Sequence, residues 1–311
     1  MVGLREIGAI AAAAFMLALG GCATQARPLK EIAFTFDDAP LPDGPYFTGH
    51  ERARRIIAVL RAARVQAMFF VNPGRPERDR DARYHAYAAA GHIIANHTWD
   101  HPNLAQTSVA DYVANVERAD RALRPLLGFG PWFRYPYLSE GETVAKRDAV
   151  RMALMRLGYA QGYVTADGYD WYLDQLTRNA VAGGQRLDRR ALRDLYVQSA
   201  LDGANYIDRM ARATLDRSPR QVLLMHENDL EALFLPDLIR ALRNDGWRII
   251  SPVEAYADPI AGELPDTLSL GQGRIAALVY AHHLEGRFSE RRANFTALDE
   301  PFAARVVKTR R

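Results

Sequence analysis

The chain has 311 residues, 49% of them apolar, a formal charge of +3 and a single cysteine. One thiol rules out a disulfide framework, so stability has to come from a packed core, for which this length suffices. The cationic residues are almost all arginine, scattered among Asp and Glu. With no basic stripe interleaved with aromatics, they read as a solvated surface and no nucleic-acid partner is expected.

Residues 1–22 read as a processed leader. Arg5 is a minimal charged region, Ile7 to Leu19 is apolar but short for a membrane span, and Leu19-Gly20-Gly21-Cys22 places small residues before the cysteine. The pattern resembles the lipobox of bacterial lipoproteins, which implies acylation of Cys22, a membrane partner through that lipid, and a tether over 23–30. A periplasm-facing envelope location is expected. Ala23 after the cysteine favours the outer over the inner membrane.

Residues 31–36 read as a strand, followed by a Pro/Gly loop at 40–49 and a helix over 50–63. A strand at 65–71 and a helix at 77–90, stopped at Gly91, come next. A short strand at 93–95 precedes a helix opening at Ser108, with Asp111 three residues on. Strands are then predicted at 131–135, 159–165, 221–225 and 247–250, with helices at 143–157 and 230–244 and two more within 172–217. Seven strands alternating with helices imply βα units and a parallel sheet forming a barrel or near-barrel. The region 31–257 reads as one catalytic domain and 258–311 as a C-terminal extension, with a helix at 273–284. Adjacent residues on a helix point about 100° apart, so His282-His283 is a poor metal pair.

Five motifs fall at the predicted strand ends: Thr35-Phe36-Asp37-Asp38, His97-Thr98-Trp99-Asp100-His101, Arg134-Tyr135-Pro136-Tyr137, Asp167-Gly168-Tyr169-Asp170-Trp171 and Leu223-Leu224-Met225-His226. In parallel barrels the C-terminal rim is where catalytic groups converge. Two adjacent carboxylates ending an apolar strand are costly unless paired or metal-bound. Two histidines and one carboxylate meet the ligand count of catalytic zinc, and the second carboxylate is then free to take a proton from the bound water. His226 suits the acid for a leaving amine or alcohol, with Asp170 its acidic partner.

The ordered set resembles the polysaccharide deacetylase (NodB-homology) family, carbohydrate esterase family 4, over about 31–257. The resemblance implies a distorted (β/α)7 barrel, here with a helical insertion and the C-terminal extension. It implies metal-dependent removal of N-acetyl groups from an amino-sugar polymer of peptidoglycan or poly-N-acetylglucosamine type, by attack of a metal-bound water. It makes Asp37 the general base and Asp38, His97 and His101 the ligands of a divalent metal, Zn2+ first, with Co2+, Ni2+, Fe2+ or Mn2+ as substitutes. Arg134 pairs with the base, the backbone N–H of Tyr137 faces the oxyanion, Trp171 and Leu223 wall the acetyl pocket, Asp170 tunes the acid, and His226 is that acid.

The chain departs from the family pattern at Ala39-Pro40, where Gly-Pro is usual, and at Met225, where leucine is usual. O-acetyl esterase action on xylan-type sugars and hydrolysis of a small amide use the same site. A non-catalytic glycan-binding lipoprotein would have lost the base, the acid or a ligand, and this chain keeps all of them. A monomer acting on an acetylated polysaccharide is expected.

Overall fold

The computed structural model describes residues 29–268, 271, 273–284 and 294–308. The expected signal segment, Cys22 and most of the tether lie outside the described residues. Among the described residues no helix is long and apolar enough to cross a membrane.

In chain order the elements are β1 (Lys30–Ala39), α1 (Gly49–Ala63), β2 (Ala67–Val71), α2 (Arg80–Ala89), β3 (Ile93–Asn96), α3 (Val109–Leu123), β4 (Phe129–Phe133) and α4 (Val144–Arg156). There follow β5 (Ala160–Gln161), β6 (Ala166–Asp167), α5 (Asp170–Ala182), β7 (Arg186–Leu187), α6 (Arg189–Leu215), β8 (Gln221–His226) and α7 (Asp229–Asn244). The chain ends with β9 (Trp247–Ile250), α8 (Pro252–Tyr256), α9 (Arg274–Ala281) and β10 (Val307–Lys308). Helix starts follow the side-chain chemistry. Thr48, Ser108, Thr143, Asp188 and Asn228 each accept a backbone N–H of the helix that follows. Gly91, at φ 85°, ends α2 as its sequence position predicts.

One curled parallel sheet runs β5-β4-β3-β2-β1-β8-β6, with β9 paired to β1 alone. Residues 32–37 of β1 pair with β8, so β9 beside 30–33 and β2 beside 34–39 share the opposite edge in tandem. The outward side chains Phe34, Phe36, Phe69, Leu223 and Met225 enter the apolar layer between sheet and helices. This is the distorted (β/α) barrel, with two departures from the expected strands.

The predicted strand at 159–165 is two strands. Its start pairs with β4 and its end with β8, so residues 162–165 carry the chain from one edge of the sheet to the other. Gly162 is required in that crossing, because a Cβ there would lie 2.4 Å from the Phe70 ring. The extension is built onto this seam. The Arg274 N–H donates to Val164 O at 2.7 Å, and its guanidinium lies 4.5 Å over the Tyr163 ring while donating to Ile260 O and Glu263 O. The two helices expected in 172–217 are α5 and α6, and β7 between them pairs antiparallel with β10. Insertion and extension therefore form one body against the barrel.

The irregular loop at 40–48 is pinned from beneath. Arg52 of α1 donates to Leu41 O, Pro42 O and Asp229 Oδ1, at 2.7, 2.9 and 3.1 Å. Glu227 accepts from Leu41 N–H, Arg83 Nη1 and Tyr87 Oη, and Asp229 accepts from Tyr46 N–H. Gly44 is needed where the loop meets this cluster, since a Cβ would fall 2.2 Å from Asp229 Oδ2. Removing one partner of a buried ion pair costs about 3–5 kcal/mol, because the other charge stays desolvated. Glu227→Leu should lower the urea unfolding free energy by about that amount; a loss under ~1 kcal/mol would show that the cluster does not hold the loop.

Candidate active site

Adjacent residues of a regular strand point to opposite faces, so Asp37 and Asp38 need a device to share one site. Between Phe36 and Ala39 β1 takes three steps while its partner β2 takes two, from Phe69 to Val71. This extra residue is a bulge, which re-aims side chains. Asp38 sits in it at φ 65°. Thr98, His101, Tyr137, Leu138 and Tyr169 also have positive φ. Left-handed backbone in non-glycine residues costs energy and persists where surroundings over-determine it, typically at functional sites. Here it recurs along the motif loops.

The loop after β3 is bound at every turn. Asn72 Nδ2 donates to His97 O and Thr98 O, Thr98 N–H to Asn96 Oδ1, and His101 N–H to Thr98 Oγ1. His97 Nδ1 lies 2.9 Å from Arg134 O; a carbonyl only accepts, so the proton is on Nδ1 and Nε2 is free. The Nε2 atoms of His97 and His101 lie 3.8 and 3.2 Å from Asp38 Oδ1. Ligating atoms of Asp38, His97 and His101 all fall within 4.8 Å of one another. Burial holds both imidazoles at a pKa of about 4, neutral at pH 7 as ligation requires. Burial works to raise the Asp38 carboxyl, but His101, His97 and Arg75 together hold it well below the usual carboxylate range. Asp38 Oδ1 is buried and accepts no hydrogen bond among the described residues, although Arg75 Nη2 is 2.9 Å away. Two nitrogens and an unsatisfied carboxylate oxygen fit a divalent cation.

Asp37 belongs to a different set. Arg134 reaches from the end of β4 through the barrel, donating to Asp37 Oδ1 at 2.5 Å and Thr35 Oγ1 at 3.0 Å. It also donates to Gly162 O at 2.7 Å and Tyr256 Oη at 2.9 Å, and its guanidinium lies 4.0 Å over the Phe70 ring. Burial raises the Asp37 pKa above the ordinary value, against the opposing pull of Arg134 and His226. A carboxylate whose proton affinity is raised is suited to general-base work.

His226 ends β8 directly opposite Asp37. Its Nδ1 lies 3.0 Å from Asp170 Oδ1, and its N–H and Asn228 Nδ2 donate to Asp170 Oδ2 at 2.8 and 2.7 Å. Burial works to lower the imidazole pKa, but Asp170 foremost, with Asp38 and Asp37, overcomes it and lifts the group to about 10. The ring is therefore an acid at neutral pH.

The ligand trio, base, arginine and acid expected from the sequence thus meet at one rim. Tyr137 is there too, 61% exposed, with its ring centroid 4.6 Å from that of His101. Trp171 lies beside Asp170 at the start of α5, against Tyr172 and Phe295. Leu223 is a correction. The register puts it opposite Phe34, in the outer apolar layer, while Leu224 lies opposite Thr35 on the face of Asp37 and His226. A wall of the pocket contributed by β8 is Leu224. Thr35 lies in the first motif without a role assigned to it, and Asn228 and Tyr256 lie outside the motifs. The first two sit two residues from Asp37 and His226 and were within reach of the alternation rule, whereas nothing local marks Tyr256.

Residues 24–160 match the sequence model of the polysaccharide deacetylase family. Over those residues, under half of its length, the chain is similar to that family. Among relatives, a chitin deacetylase of Colletotrichum lindemuthianum is 31% identical over 118 residues, 35% of this chain and 42% of that protein. A peptidoglycan-N-acetylglucosamine deacetylase of Bacillus cereus is 33% identical over 108 residues, 34% of this chain and 36% of that protein. The chain thus spans about two-fifths of the length of these curated relatives. The solved Colletotrichum enzyme superposes with a TM-score of 0.52 at 20% identity, covering 79% of this chain and 93% of that one. A solved peptidoglycan N-acetylglucosamine deacetylase gives 0.50 at 23% identity, covering 72% and 87%. These superpositions agree with the polysaccharide deacetylase fold.

Asp170→Asn should bring the His226 imidazole titration, followed by NMR, down from about 10 towards the ordinary ~6.5. A midpoint that stays near its starting value would remove Asp170 as the cause.

Proposed function

We propose that the protein is a deacetylase that hydrolyses N-acetyl groups on an amino-sugar polymer of peptidoglycan or poly-N-acetylglucosamine type. The observation that carries this reading is the convergence of Asp37, Asp38, His97, His101 and His226 at one rim, with base and acid each held by its own partner. The named activities of the relatives support the substrate class.

Asp38, His97 and His101 would hold a divalent ion, Zn2+ by the donor set. When bound, such an ion polarises a carbonyl oxygen and lowers the pKa of a water towards about 7. Arg134 occupies Asp37 Oδ1, leaving Oδ2 to accept the proton of the attacking water. The backbone N–H of Tyr137 donates to the oxygen on which charge develops. His226, protonated and fixed through Nδ1 by Asp170, gives its Nε2 proton to the departing amine. Asp37 and His226 thereby take up one proton and release one, and the ammonium-forming amine and acetate leave.

The reading extends to the location. Small residues before Cys22 support a lipid-anchored envelope protein, exported and acting as a monomer on a glycan near its membrane.

Acetate release measured across peptidoglycan, chitooligomers, poly-N-acetylglucosamine and acetylated xylan tests the substrate class. Release from the N-acetylated glycans is expected; release confined to xylan would overturn it. Asp37→Asn should cut turnover by about 10²–10⁴-fold while elemental analysis still finds one metal per chain. Metal lost along with activity would exchange the roles of Asp37 and Asp38. The neutral histidines bind metal above a pKa of about 4 and lose it as pH falls through and below that value. Metal content should therefore be full at pH 7 and fall only on strong acidification. Loss already near pH 6 would show that His97 and His101 are not buried ligands.

A further inference from the structure

The extension places an aromatic ring on the rim of the site. Phe295 sits with its centroid 4.7 Å from Tyr172, 5.0 Å from Trp171 and 6.4 Å from Tyr169, at interplanar angles of 60–63°. These three belong to the turn that opens α5, and Asp170 within that turn holds His226 at 3.0 Å. Phe295 is 37% exposed, so the four-ring cluster keeps part of its surface in water.

The segment that carries Phe295 is fastened on its C-terminal side. Asp299 Oδ1 accepts from Tyr172 Oη at 2.6 Å, Asp188 N–H donates to Val306 O at 2.8 Å, and β10 pairs with β7. Phe302 and Val306 are buried beneath. A chain anchored this firmly has no packing need to leave a large aromatic ring partly exposed beside the acid's own partner.

We propose that Phe295, backed by Trp171 and Tyr172, is a stacking platform for a pyranose ring of the glycan next to the sugar being deacetylated. Pyranose rings present a flat face of C–H groups, and an aromatic face takes that surface out of water without requiring hydrogen bonds. The platform packs on the turn that carries Asp170, the partner of His226, so a polymer seated on it would run beside the site. The inference rests on the deacetylase reading and adds a subsite completed by one residue outside 31–257, Phe295.

The test compares the N-acetylglucosamine dimer and hexamer as substrates, together with hexamer binding by calorimetry to an Asp37→Asn background. Phe295→Ala should lower the hexamer-to-dimer ratio of kcat/KM and weaken hexamer binding, each by about three- to tenfold. Phe295→Leu, which keeps the apolar packing without the flat ring, should lose most of the same ratio, and Phe295→Trp should keep it. Melting temperature checks that each variant is folded. An unchanged ratio in folded Phe295→Ala, or full retention by Phe295→Leu, overturns the platform. If the wild-type chain neither binds nor deacetylates either oligomer, the deacetylase reading itself falls, which is a separate result.

Discussion

A single buried charge pair organises the rim. Arg134 crosses the inside of the barrel from β4 to β1 and spends its donors on Asp37, Thr35, Gly162 O and Tyr256. A buried guanidinium with a missing partner is far costlier than an exposed one, so each acceptor is constrained by the others. The same residue's carbonyl receives the Nδ1 proton of His97 and so chooses the ring nitrogen left for a metal. Asp37 and His97 are thus both oriented by one side chain and its own backbone.

Around that pair the backbone departs from regular geometry where the chemistry needs it. The bulge in β1 turns two adjacent carboxylates towards one space, giving one to Arg134 and one to the histidines. Their environments push them apart: burial raises Asp37, while His101, His97 and Arg75 overcome burial and lower Asp38. Across the rim Asp170, with Asp38 and Asp37, lifts His226 to about 10 against its burial. Separated proton affinities in neighbouring groups are what an acid–base pair requires.

Much of this was legible in the chain. Motif positions at strand ends need only the alternation of apolar runs and breakers, and the meeting of Asp37, Asp38, His97, His101 and His226 at one rim follows from them. What was not legible depends on partners distant in sequence. The run around Gly162 reads as one strand because nothing local reveals that it changes neighbours from β4 to β8. Leu223 and Leu224 differ only in register, and one step exchanges the site face for the core. Tyr256 and Phe295 reach the site from far along the chain, and composition carries no trace of that. The loop at 40–48 looked irregular, and it is held by buried charges on α1, α2 and the start of α7.

The extension packs on the seam at 162–165 through Arg274, and through Phe295 and β10 it packs against α5 and β7. The central claim is that the rim does metal-assisted deacetylation with this chain's own base and acid. The most direct test is acetate release from N-acetylglucosamine hexamer before and after chelator treatment, with divalent metal then restored. Release that stops with the chelator and returns with about one equivalent of metal is expected. Release that continues undiminished in metal-free protein would contradict the account.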